Sequence, residues 1–142
     1  MGLRVYTGGT FDLFHAGHVK FLRRCKEIAG STGQVIVSLN TDEFIKEYKG
    51  KPPIISYEDR KLILESCKYV DSVMQNYGGA DSKESIILAQ LIDVIAIGSD
   101  WARKDYYKQM NFTQDWLDEQ DISLIYIPYT KGISSTLIKQ YL

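Results

Sequence analysis

Both histidines of the chain fall in one stretch, GGTFDLFHAGH at residues 8 to 18, three positions apart as His15 and His18. The stretch reads as a short β run, then Gly8-Gly9-Thr10, then a helix beginning near His15 or Ala16. Glycines at such a turn let backbone N–H groups come close to a ligand, and a helix N-terminus carries partial positive charge, so the site suits phosphate. At i and i+3 near a helix start the two imidazoles face one side, and Gly17 between them leaves room for a bulky anion. Phosphate favours the imidazolium form, so both rings are expected to donate hydrogen bonds to a polyphosphate.

Other chemistries compete for the same residues. A zinc pair normally needs i and i+4 spacing with a Glu, or further His and Cys ligands, and the chain has no third histidine. One histidine could cap the helix while the other packs in the core, and acid–base work by a histidine with Asp12 stays open. The turn has neither the Gly-Lys-Ser/Thr of a P-loop nor the G-x-G-x-x-G of a dinucleotide fold.

The elements that must hold this stretch are legible in the apolar pattern. Short apolar or β-branched runs lie at 3–7, 35–39, 70–74, 94–97 and 124–127, with longer helical spacing between them. Helices are expected after HAGH, after SYEDRK, over about 82–91 and 105–119, and from Ser135 onward. Strands that are apolar on nearly every residue and alternate with helices predict parallel strands buried on both faces. The expected fold is a single Rossmann-like three-layer α/β/α domain over residues 1–142, with a five-stranded parallel sheet. Its ligands should collect beyond the carboxyl ends of the strands.

Composition sets the outer limits. With 142 residues, 44% of them apolar, the chain can build one continuous core. Its 17 basic and 18 acidic residues nearly cancel, so no global field draws it to nucleic acid or to an anionic membrane. No leader or membrane-length apolar run is evident, and a cytoplasmic location is expected. Cys25 and Cys67 sit in amphipathic segments and are read as small buried apolar residues.

The segment GGTFDLFHAGH resembles the G-T-F-D-x-x-H-x-G-H signature of the cytidylyltransferases within the nucleotidylyltransferase superfamily. SLNTDEF, SYEDRKLILESCKYVDSV, IGSDW and KGISSTLIK are similar to further segments of that family, in order and spacing. The resemblance implies a homodimeric enzyme that joins CTP to a small phosphorylated alcohol, with glycerol 3-phosphate the first candidate, and that uses Mg²⁺. An adenylyltransferase of the same superfamily, transfer to another phospho-alcohol or phosphonate, and a non-catalytic nucleotide-binding module are the alternatives.

By this resemblance His15 and His18 stabilise charge on the α-phosphate and the departing phosphates, with Gly8, Gly9 and Thr10 forming the cradle. Asp12 would orient the loop or help to hold Mg²⁺. Lys49, on the loop around Gly50, would reach the phosphates, while Lys51, Arg60 and Lys68 would contact substrate. Gly98 and Asp100 would meet the nucleotide and its ribose, with Trp101 beside them. Thr130, Gly132, Ser134, Ser135 and Thr136 would bring a second helix start to the triphosphate. The family pattern R-T-x-G-I-S-T is broken at one point, where Tyr129 stands in the arginine position. A fixed charge is lost there, and Lys131 is placed to compensate if its loop turns inward.

Overall fold

The computed structural model describes residues 2–98 and 111–128. Five strands form one sheet: β1 (Arg4–Gly9), β2 (Gln34–Leu39), β3 (Ser72–Gln75), β4 (Val94–Gly98) and β5 (Ser123–Ile127). Their order is β3-β2-β1-β4-β5 and every neighbouring pair is parallel. The chain therefore steps outward from β1 through β2 to β3, then returns to the other side of β1 for β4 and β5. The order reverses between β1 and β4.

Burial follows position in the sheet. Val35 to Leu39 and Val94 to Ile97 are buried without interruption, as strands covered on both faces must be, whereas β3 and β5 at the edges are half exposed. Alternate residues feed two separate cores. Val5, Val35, Val37, Leu39, Val94 and Ala96 meet Leu22, Cys25 and Ala29 of α1 (Ala16–Ala29) and Leu64 of α3 (Tyr57–Glu65). Tyr6, Ile36, Ile95 and Ile97 meet Ile86 of α4 (Lys83–Ala89) and Leu117 of α5 (Gln114–Glu119). The result is the expected three-layer Rossmann-like arrangement.

All five expected strands are present with ends shifted by at most two residues, and three local expectations need correction. β1 runs on through Gly8 and Gly9, so these glycines close the strand instead of forming a turn after it. An additional helix, α2 (Asp42–Lys49), follows β2. Thr41 caps it by accepting from Phe44 N–H (3.1 Å), Asp42 and Glu43 favour its positive end, and Gly50 closes it in the left-handed region at φ +81°. Lys49 is thus the last residue of a helix and not part of a loop. Finally, α3 starts at Tyr57 behind Ser56 and ends at Glu65, which leaves Lys68 on the following turn, exposed, with its Nζ over the Tyr69 ring.

Of the helix expected over 105–119, the described part forms only from Gln114, because Asn111 takes a positive φ and Thr113 starts a new cap. Cys25 is buried, which pushes its thiol up to about 12, and Cys67 is half-buried; both are free thiols. Among the described residues no helix is long and apolar enough to cross a membrane.

Candidate active site

The carboxyl edge of the sheet is open where the strand order reverses. The β1–β4 ladder pairs only Val5 with Val94 and Tyr6 with Ile95, so the last residues of the two strands, Gly8-Gly9 and Gly98, face each other unladdered. Gly8 is exposed although its strand is the central one. A Cβ on Gly8 would meet nothing closer than 3.7 Å, whereas one on Gly9 would sit 2.9 Å from the Phe11 ring. Gly9 is therefore required by the chain that folds back over it, and Gly8 leaves the crevice unobstructed.

The loop beyond Gly9 is held under strain. Phe11 and Leu13 both take φ +50°, a region that costs L-residues about 1–2 kcal/mol each. Asp12 between them is buried and supplies the restraint. Its Oδ1 accepts from Ile55 N–H (2.9 Å) and Leu13 N–H (3.1 Å), and its Oδ2 accepts from Ile54 N–H (2.9 Å). Of the two roles expected for Asp12, the geometry gives it loop orientation. Among the described residues no group of three His, Cys, Asp or Glu is placed to hold a metal ion. A carboxylate engaged by three backbone donors is a poor magnesium ligand.

His15 is the N-cap of α1, and the two histidines complete the helix start between them. Gly17 N–H donates to His15 Nδ1 (3.0 Å) and His15 N–H donates to His18 Nδ1 (3.1 Å). An Nδ1 that accepts carries no proton, so each neutral ring holds its proton on Nε2. The backbone thus assigns both tautomers and produces two Nε2–H donors. The rings lie 3.9 Å apart between centroids, with Phe14 stacked on His18 at 5.3 Å and Phe11 tilted against it at 5.3 Å.

Burial pushes the His18 pKa from 6.5 down to about 4; the facing His15 adds to the drop and Asp12 opposes it. Burial lowers His15 as well. Without ligand the pair is therefore neutral at pH 7 and donates through Nε2–H, whereas the imidazolium expected from the sequence belongs to rings beside bound phosphate. A proton on either Nδ1 would also set donor against donor across the cap. Because the chain has two histidines only, NMR titration of the imidazole signals reads each one directly. Both should titrate below 6.5, His18 near 4; a His18 midpoint at or above 6.5 would contradict the capped, stacked geometry. Stability is linked to the same protons. As the pH falls below about 6.5 the unfolded chain binds them first, so the contribution of His18 is complete above that pH and is lost toward about 4.

Arg60 is expected from the sequence to contact substrate, and the structure gives it another task. It is 1% exposed. Its Nε donates to Ile55 O (2.9 Å), Nη1 to Thr10 O (2.8 Å) and Asn40 O (3.0 Å), and Nη2 to Asp42 Oδ1 (2.6 Å). One guanidinium thus ties the loop after β1, the loop after β2, the start of α2 and the segment before α3. Asp42 also accepts from Tyr57 N–H (3.2 Å). Four of its five N–H donors are turned to protein and the side chain is fully enclosed, which leaves little of the fork for a substrate.

Lys49 and Lys51 are both exposed on either side of Gly50, with the Lys49 Nζ lying 5.6 Å from the Tyr48 ring centroid. The structure does not bring either of them into the histidine loop, and Lys68 stands on a separate turn. Asp100, Trp101, Tyr129, Thr130, Lys131, Gly132, Ser134, Ser135 and Thr136 lie outside the described residues. Sequence reasoning misses Asn40, Asp42, Asn76 and Ser85. Each of the two asparagines directly follows a strand, at the edge where ligands gather, and that position is the available signal.

Open parallel sheets take their ligands in the crevice at the reversal of strand order, and the molecule is a Rossmann-like α/β protein in which the histidine pair follows β1, one of the two strands at that reversal. A family model described as cytidylyltransferase-like matches residues 6–141. The chain belongs to this family and is a nucleotidyltransferase enzyme. It is 41% identical over 137 residues to glycerol-3-phosphate cytidylyltransferase of Bacillus subtilis (strain 168), covering 96% of this chain and 95% of that protein. The protein of the same name from Staphylococcus aureus is 38% identical over 139 residues, with 98% and 94% covered. FAD synthase of Pyrococcus horikoshii is 43% identical over 98 residues, with 69% and 64% covered. Among solved structures, the lipopolysaccharide core biosynthesis protein of Thermoplasma volcanium superposes with a TM-score of 0.69 at 22% identity, over 94% of this chain and 100% of that one. At that identity the likeness is one of fold.

Proposed function

We propose that this chain, as one domain, transfers the cytidylyl group of CTP to glycerol 3-phosphate and releases pyrophosphate. The observation that carries the reaction class is the pair of stacked imidazoles at the open carboxyl edge, each with Nδ1 fixed as an acceptor and Nε2–H left as a donor. The choice of nucleotide and acceptor rests on the near-full-length likeness to the two glycerol-3-phosphate cytidylyltransferases.

An oxygen of the acceptor phosphate attacks the α-phosphorus and forms the new P–O bond. The bond from the α-phosphorus to the bridging oxygen breaks, and its electron pair leaves with pyrophosphate. The attacking phosphate is already largely ionised near pH 7, so no general base is required. What remains is positioning and the stabilisation of charge on phosphate oxygens, which paired Nε2–H donors on a rigid helix start are suited to supply. Magnesium would be carried in with CTP and would supply charge neutralisation for the departing pyrophosphate. Lys49 and Lys51, exposed on either side of Gly50, are proposed to contact the triphosphate.

The FAD synthase relatives favour a second reading, in which ATP replaces CTP in the same transfer. Pyrophosphate release with Mg²⁺ separates the two when CTP and ATP are each crossed with glycerol 3-phosphate, FMN and no acceptor. Release that requires CTP and glycerol 3-phosphate together is expected. Release only with ATP and FMN would replace the first reading by the second.

A further inference from the structure

A chain of polar side chains runs along the carboxyl edge from the loop after β3 to the loop after β1, and its direction is fixed at the far end. Asn76 Nδ2 donates to Gly79 O (3.1 Å), a carbonyl that can only accept. The same Nδ2 donates to Asn40 Oδ1 (2.9 Å), which turns the Asn40 Nδ2 toward Thr10 Oγ1 (3.1 Å). On its other side Asn76 Oδ1 faces the hydroxyl of Ser85 (3.0 Å), a fully buried residue that is itself held by Tyr77 N–H (2.6 Å). Neither amide can flip without setting donor against donor or acceptor against acceptor.

The consequence falls on Thr10. Its oxygen is used as an acceptor from Asn40, so its proton must go elsewhere, and among the described residues no protein acceptor takes it. Thr10 is half exposed, directly after Gly9 at the open edge and five residues before His15. We propose that the Asn76–Asn40 pair are positioning residues that fix the Thr10 hydroxyl as a donor to a phosphate oxygen of the bound nucleotide. This deepens the functional reading above and rests on it. Gly78 and Gly79, both at positive φ, belong to the same device: a Cβ on Gly79 would sit 3.2 Å from the Phe44 ring, so the loop that carries the orienting carbonyl is seated against α2.

Asn76→Asp tests the relay from two residues away. A carboxylate at this position offers only acceptors, so Asn40 must turn its Nδ2 to that carboxylate and its Oδ1 to Thr10, whose proton then points inward. In pyrophosphate release with CTP and glycerol 3-phosphate, both Asn76→Asp and Thr10→Val should lower kcat/KM roughly 10- to 100-fold, the effect of one hydrogen bond to a charged group. In the Thr10→Val background Asn76→Asp should cost several-fold less than in wild type, the remaining loss being that of the added charge alone, which acts in both backgrounds and cancels in the coupling term of the cycle. Thr10→Ser, which retains the hydroxyl, should retain the response to Asn76→Asp that Thr10→Val loses. If Asn76→Asp does not fold, Asn40→Asp, which places a carboxylate oxygen directly against Thr10, completes the same cycle. Equal losses in both backgrounds, or no loss at all, would overturn the relay while leaving the functional reading standing. Wild-type protein that turns over no nucleotide would overturn both.

Discussion

Replacing His18 by asparagine should lower turnover roughly 100- to 1,000-fold, the range found when one preorganised donor to a developing oxyanion is removed, while the fold stays within about 1 kcal/mol of wild type. Asparagine is chosen because its Oδ1 can stand where Nδ1 stood and accept from His15 N–H, which is the capping half of the residue. It has no atom at the Nε2 position. The substitution therefore separates the two functions that His18 combines, helix start and donor, where alanine would remove both. Steady-state kinetics and a thermal melt of the same preparation read the two effects independently. Turnover within a few-fold of wild type would take His18 out of the chemistry and leave it as a cap.

Arg60→Ala should have the largest effect on folding, about 3–5 kcal/mol and hence a fall in Tm on the order of 10 °C for a chain of this size. The guanidinium side chain is completely enclosed, whereas its partner Asp42 is 37% exposed. The carboxylate can partly rehydrate after the substitution, which places the loss at the lower end. What does not rehydrate easily is the set of carbonyls of Thr10, Asn40 and Ile55 that converge on the fork. Arg60→Lys keeps the charge but not the planar geometry, and should fall between the two. Catalysis should weaken alongside stability in both variants. A variant whose Tm drops by less than about 2 °C while its KM for the acceptor rises sharply would return Arg60 to the substrate-binding role that the sequence suggests.

The contrast between those two residues marks how far the sequence reaches. The histidine pair is legible because everything that makes it a site is local: a strand end, two glycines, and a helix start within eleven residues. The strands are equally plain, since β2 and β4 are apolar on both faces and need no tertiary information to be recognised. Arg60 is different. In sequence it is a charged residue in the first turn of an amphipathic helix, where most arginines are solvated. Its acceptors come from Thr10 and Asn40, 50 and 20 positions away, and only the sheet brings them together.

The protonation state of the histidines is hidden from the sequence for the same reason. A phosphate site suggests imidazolium, but the lowered pKa of His18 arises from burial and from a second imidazole stacked on it, and both depend on the fold-back of Phe11 and Phe14. The helix α2 is easily passed over because it has only eight residues and one fully buried side chain, Ile45; its signals are the shared face of Phe44, Ile45 and Tyr48, the Thr41-Asp42-Glu43 cap and the Gly50 stop. Without that helix the KGK stretch reads as loop throughout, although Lys49 is the last residue of α2.

The proposed reaction is an attack by the acceptor phosphate on the α-phosphorus of CTP at the crevice between β1 and β4. Glycerol 3-phosphate labelled with ¹⁸O in its phosphate group, incubated with CTP, Mg²⁺ and the enzyme, reports that step by ³¹P NMR of the products. The label is expected in the oxygen that bridges the two phosphorus atoms of CDP-glycerol, with none in pyrophosphate. Label in the pyrophosphate, or a bridging oxygen without label, would contradict the account.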